Sequence, residues 1–197
     1  MSAPHTADYD VIAVGAGFAG ISLSYHLREA GYSVKVFDRA DEIGGTWAWN
    51  RYPGAATDSE SYYYCLTFSK EVLQEWSWTK RYSGWEETQA YLKFVLDKFS
   101  LRPMFQLNTE VESASFDDAT GLWNVLTGDG QTHTAKYFIS AMGMISQPVI
   151  PTFSGADTFT GPIFHSSRWP EGLDVAGKRV GIIGAGATTV QMLPEVA

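Results

Sequence analysis

The chain has 197 residues, a formal net charge of -8, and 45% hydrophobic against 18% charged residues, a composition that buries a globular core and carries no low-complexity tract. Its acidity excludes a surface built to neutralise phosphates, so neither a nucleic acid nor an anionic membrane is expected as a partner. The lone Cys65 excludes an internal disulfide and a CxxC site, and MSAPHTADYD has no secretory leader pattern, so a soluble cytoplasmic protein is expected, with Cys65 as a small buried residue.

Residues 9–14 (YDVIAV) are apolar on both faces, as in a buried parallel strand. They run into Gly15-Ala16-Gly17-Phe18-Ala19-Gly20. Ala19, Leu23, Leu27 and Ala30 then recur at helical steps, predicting a helix over about 18–30 that Gly31 stops. Residues 33–37 form the next strand, and Asp38 ends it 23 positions after Gly15. Strand, GxGxxG, helix, strand and acid in this order make a dinucleotide-binding unit. Gly15 permits the tight turn, Gly17 lets backbone approach a pyrophosphate, and Gly20 lets helix and strand pack closely. Asp38 stands where a carboxylate accepts hydrogen bonds from ribose hydroxyls.

The next stretch, IGGTWAWNRYPGAATDSESYYYC, is too rich in glycine, turn residues and aromatics for regular structure, and long loops of this kind are usually functional. Helices are expected over 70–76 and 85–99, the second with Tyr91, Leu92, Val95, Leu96 and Phe99 on a core-facing side. From Met104 the apolar period becomes two. Three antiparallel strands over 111–116, 122–127 and 132–140 are joined by turns at 117–121 and 128–130, and 137–141 returns to the parallel sheet. Pro148 and Pro151 mark a linker that contains FTGPIFHSSRWP at 159–170. Residues 179–183 (RVGII) read as another strand running into a second glycine loop, Gly184-Ala185-Gly186-Ala187-Thr188-Thr189, and a helix that contains Pro194.

The expected fold is α/β: a Rossmann-type dinucleotide-binding domain over 1–147 with an antiparallel meander inserted at about 104–136. A linker over 148–177 follows, then the truncated start of a second Rossmann-type domain over 178–197. One strand and part of one helix cannot bury their apolar faces alone.

These residues resemble the single-component Baeyer-Villiger monooxygenases. Phe159, Gly161, His165, Trp169 and Pro170 reproduce the FxGxxxHxxxWP fingerprint of that family. The likeness extends to GAGFAG, to GGTW at 44–47, to NRYPG at 50–54 followed by Asp58, and to Ala141-Met142-Gly143 where the family has ATG. The resemblance implies FAD in the first site and NADPH in the second. It also implies a reaction in which NADPH reduces the flavin, O2 gives a flavin peroxide, and a ketone becomes an ester or lactone.

Carried over by position, Gly15, Gly17 and Gly20 would cradle the FAD pyrophosphate and Asp38 the adenosine ribose. Gly45, Thr46, Trp47 and Tyr64 would line the flavin or nicotinamide side, and Val111 would meet the adenine through its backbone. Asp58 matches a catalytic aspartate that holds an arginine over the flavin, an arginine that no motif in this chain supplies. Gly184, Gly186 and Thr188 would bind NADPH. Thr189 replaces a usual Gly or Ala, so looser helix packing is expected there.

Each feature also has a plainer reading. His165 alone is a structural histidine, and its spacing to Gly161 and Trp169 is what makes it part of a motif. Asp58 alone is a turn-capping acid. Two further functions fit: a heteroatom-oxygenating flavin monooxygenase, which Trp169-Pro170 disfavours, or a noncatalytic flavin-binding fragment that works with a complementing chain.

Overall fold

The structure, a computed structural model, describes residues 6–197; the start of the N-terminal segment read above, residues 1–5, lies outside them. Strand β1 (Tyr9–Val14) leads into helix α1 (Phe18–Glu29) and strand β2 (Val34–Phe37). One-turn helix α2 (Thr46–Trp49), helix α3 (Lys70–Glu75) and helix α4 (Trp85–Lys98) follow. Strands β3 (Phe105–Gln106), β4 (Val111–Asp117), β5 (Leu122–Thr127) and β6 (Thr132–Ser140) complete one six-stranded sheet of order β3-β2-β1-β6-β5-β4.

β1 pairs in parallel with β2 and β6, and β2 with β3, while β4, β5 and β6 pair antiparallel. The meander is therefore continuous with the parallel sheet. Fully buried Ala135 is the seam, since it lies opposite Tyr9 on one side and Trp123 on the other. The expected return over 137–141 is thus the second half of β6. The two-residue β3, like the single turn of α2, had no readable pattern.

α1 packs on the sheet through Leu23 and Leu27, and α4 packs against α1 and α2. Tyr91, Leu92, Val95 and Leu96 repeat at helical spacing, and all four are essentially fully buried against Ile21, Trp47 and Val72. Burying side chains of this size contributes about 1.5–3 kcal/mol each. Ser69 caps α3 by accepting from the Val72 N–H at 3.4 Å.

Beyond β6 the chain runs through the linker without joining a sheet. Residues 179–183, expected to be a strand, form none. A strand needs a neighbour for its N–H and C=O groups, and among the described residues no segment pairs with this one. Ile183 and Val190 are left 77% and 71% exposed, as expected of a unit that cannot cover its own apolar faces. Helix α5 (Ala187–Val196) does form, with Pro194 inside it, and docks on the 52–56 loop. No helix among the described residues is long and apolar enough to cross a membrane, and no cluster of potential metal ligands occurs among them.

Candidate functional site

The first glycine loop sits where β1 meets α1. Gly15 has φ +116°, and a β-carbon there would lie 2.3 Å from the Ala141 carbonyl oxygen at the end of β6. A β-carbon on Gly17 would come within 3.4 Å of the Gly45 α-carbon, and one on Gly45 within 2.8 Å of the Gly17 α-carbon. Two glycine segments thus meet backbone to backbone, joined by the Gly44 N–H donating to the Ala16 carbonyl at 3.0 Å. Gly17 caps α1 without a side-chain hydrogen bond, so the helix presents its N–H groups and partial positive charge to this bare surface. It is a cradle that any side chain would fill, and its chemistry suits a pyrophosphate.

Asp38 closes the loop at the end of β2. Its carboxylate accepts from the Ala16 N–H at 2.6 Å and from the Ala40 N–H at 2.8 Å. Both oxygens keep a second lone pair for a ribose hydroxyl. The Asp38 carbonyl accepts from the Thr109 N–H at 2.9 Å, which brings the start of β4, and with it half-buried Val111, beside the acid.

The Gly44-Gly45 segment leads into α2 and an aromatic wall. The Trp47 indole N–H donates to the Tyr64 hydroxyl at 3.3 Å, and Phe18 meets the Tyr64 ring edge-on at 4.9 Å. Burial raises the Tyr64 phenol pKa, and the charge of Asp58 raises it further, so Asp58 stands within electrostatic reach of this wall. Asp58 itself is exposed, and no cation pairs with it among the described residues. Thr46 places its carbonyl under both donors of Asn50, each at 2.9 Å. Cys65, half-buried beside this wall, has a thiol pushed up by burial.

The fingerprint segment carries its own logic. A β-carbon on Gly161 would stand 2.6 Å from the Phe159 ring, which folds back over it. His165 Nδ1 accepts from the Ser167 N–H at 3.1 Å and caps a 3-10 turn over Ser166–Arg168. Arg168 then stacks on the Trp49 ring at 3.9 Å, with Arg39 over the same ring at 5.7 Å. Burial, then the charge of Arg39, holds the Arg168 guanidinium below its usual range. Trp169 packs with Tyr52, Ala55 and Met192, bridging the fingerprint, the 52–56 loop and α5. Trp169 and Pro170 also line an open cleft of about 610 Å³ against Arg51 and Trp85.

The second glycine loop is more open than the first. Gly184 has φ +122°, and a β-carbon on Gly186 would meet nothing within 4 Å. Thr189, where the first loop has Gly20, donates its hydroxyl to the Gly184 carbonyl at 3.1 Å. Gly186 caps α5 without a side-chain bond, and half-buried Thr188 lies in its first turn.

The structure therefore gathers Gly15, Gly17, Gly20, Asp38, Gly45, Thr46, Trp47 and Tyr64 at one end of the sheet, with Gly184 and Gly186 in the loop before α5 and Thr188 in its first turn. Sequence reading missed the polar residues that hold these pieces in place. Glu42 accepts at one oxygen from Arg51 at 3.4 Å, Gln89 at 2.9 Å and Lys93 at 2.7 Å. Gln191 of α5 accepts from the Tyr52 hydroxyl at 2.8 Å and donates to the Ala56 carbonyl at 2.8 Å. Apart from Arg51, which is 9 positions from Glu42, these partners lie 47 to 139 positions apart, and no local pattern signals them.

The sequence profile of the flavin-binding monooxygenase-like family matches residues 9–197. A Baeyer-Villiger monooxygenase of Pseudooceanicola batsensis is 45% identical over 97% of this chain and 35% of its own length. A phenazine N-monooxygenase of Lysobacter antibioticus is 44% identical over 94% of this chain and 34% of its own. A crystal structure of cyclohexanone monooxygenase from Rhodococcus sp. Phi1 bound to NADP+ superposes with a TM-score of 0.91 at 43% identity, over 95% of this chain and 36% of that one. The chain thus spans about a third of the length of the relatives it matches.

Proposed function

Because the chain belongs to the flavin-binding monooxygenase-like family, we propose that it provides the FAD cradle and the first part of the NADPH site of a Baeyer-Villiger monooxygenase. The reaction is the insertion of one oxygen atom from O2 beside a ketone carbonyl, giving an ester or lactone. The observation that carries this reading is the backbone contact of Gly17 with Gly45 at the open N-terminus of α1, closed at its far side by Asp38.

In this reading Gly15, Gly17 and Gly20 keep side chains out of the pyrophosphate position, and the α1 N–H groups complement its charge. Asp38 receives the ribose hydroxyls, and the backbone at Val111 receives the adenine. Gly45, Thr46, Trp47 and Tyr64 flank the ring system. Their aromatic wall, with Phe18, excludes water from the reacting face. Asp58 supplies the negative charge that orients a cation toward the site. Bound FAD supplies the two-electron and oxygen-activating chemistry, and NADPH supplies the electrons. Gly184, Gly186 and Thr188 of the open second loop hold the NADPH phosphates. Trp169 mechanically links that loop, through α5, to the segment that follows the Gly44-Gly45 turn. The cytoplasm is the proposed place of work.

The test is a chimera in which this chain replaces the matching segment of the Pseudooceanicola batsensis enzyme. Ketone-dependent NADPH oxidation with ester formation is the expected result; NADPH oxidation that no ketone stimulates would overturn the reading. The likeness to a phenazine N-monooxygenase favours a second reading, oxygenation of a ring nitrogen. N-oxide formation from phenazines without ester from any ketone would establish it. A complementing chain that completes the catalytic unit is the alternative arrangement. It predicts that the separate remainder of the relative restores activity when mixed with this chain.

A further inference from the structure

Gly44 and Gly45 both have positive φ, +151° and +56°, and they form the half of the cradle that faces Gly17. Backbone of this kind has no side chain to lock it and loses more freedom on ordering than any other residue type. Something outside the segment must hold it. One such tether comes from α4.

Gln89 is 5% exposed in the middle of α4. Its carboxamide nitrogen donates to the Ile43 carbonyl at 2.8 Å and to the Glu42 carboxylate at 2.9 Å. Its aliphatic stem lies so close to Gly44 that a β-carbon there would stand 3.3 Å from Gln89 Cγ. Glu42 is in turn fixed by Lys93, one helical turn beyond Gln89 on α4, at 2.7 Å. The side chain thus holds the 42–43 segment immediately before the two glycines through one amide nitrogen, while the Gly44 N–H reaches Ala16 across the cradle.

We propose that Gln89 is a positioning residue for the nucleotide cradle: its two bonds to the 42–43 segment set where Gly44 and Gly45 stand against Gly17, and so the width of the pyrophosphate site. Glu42 and Lys93 keep the Gln89 amide pointed at that segment. The inference rests on the proposed FAD site and deepens it.

The test is FAD titration of the 197-residue chain by flavin fluorescence, with the visible circular dichroism of the bound flavin and the melting temperature of the unliganded chain read in parallel. Gln89→Leu removes both bonds at similar volume and is expected to raise the FAD dissociation constant about tenfold and to alter the flavin dichroism. Val95→Ala, a fully buried position on the same helix, supplies a matched loss of stability and is expected to leave FAD affinity within about twofold. Equal weakening by both variants for equal loss of melting temperature overturns the inference, as does unchanged affinity and dichroism in Gln89→Leu. Should Gln89→Leu not fold, Glu42→Leu removes one of the two acceptors from the solvent side. It is expected to weaken FAD about threefold, and no loss overturns the inference. A wild-type chain that takes up no FAD overturns the proposed function itself.

Discussion

The carbonyl oxygen of Gly15 lies so close to Gly20 that a β-carbon at position 20 would stand 1.9 Å from it. Gly20→Ala is therefore expected to push α1 off β1 and to cost about 3 kcal/mol or more. The second loop provides the contrast. Gly186→Ala meets open space and is expected to cost no more than about 1 kcal/mol, through the poorer N-cap it gives α5. Urea midpoints of the two variants check this, and comparable losses would show that the first loop relaxes more easily than its geometry implies.

Asp38 serves the protein before it serves any ligand. Asp38→Asn retains the shape but replaces one of two acceptors, leaving either the Ala16 or the Ala40 N–H facing a donor. A loss of about 1–3 kcal/mol in stability is expected, together with weaker FAD binding. If calorimetry finds the variant as stable as wild type, the two backbone bonds are replaceable and only the ribose role remains.

The docking of α5 depends on Gln191, which bridges Tyr52 and Ala56. Gln191→Ala is expected to free α5 and raise the rate of chymotryptic cleavage within the helix, at Met192, about tenfold, since cleavage there follows the population of the opened state. Unchanged cleavage would mean that Met192 and Trp169 hold the helix without help.

Acid should unzip one edge of β1. Hydrogen bonding from Lys136, then from the Ser33 backbone and hydroxyl, lowers Asp10 from its ordinary 3.8 to about 2, and bonds from Thr134 lower Asp8. A depressed carboxyl stabilises the fold above its unfolded value, and the contribution disappears as pH falls through the folded one. Melting temperature is thus expected to fall between about pH 4 and pH 2. Asp10→Asn should flatten that slope, and an unchanged slope would assign it to other acids.

How much of this was readable beforehand depended on range. Gly15, Gly17, Gly20 and Asp38 fall within 24 positions, and the physical tasks of such a unit leave a local imprint. The stripe from Tyr91 to Leu96 was equally plain, because helical burial repeats in sequence. Residues 179–183 misled for an instructive reason: an apolar run reports a readiness to pair, whereas a strand exists only where a neighbour accepts its hydrogen bonds. Gln89 and Gln191 were invisible because an amide on a helix says nothing about which distant loop it grips. The backbone role of Asp38 was hidden too, since its spacing announces a ribose acid and is silent about the two backbone N–H groups it holds.

β6 belongs to two structures at once, parallel to β1 and antiparallel to β5, and Ala135 is paired on both sides. The boundary between nucleotide unit and inserted meander therefore crosses one strand at Ala135, with 132–135 paired to β5 and 135–140 to β1. Because one uninterrupted strand carries both, the meander and the floor beneath Gly15 are expected to open cooperatively, the far end of that strand leading to the Ala141 carbonyl. In amide exchange, protection of the β5–β6 ladder should rise together with that of β1 when nucleotide is added, although no residue of β5 is placed in the cradle.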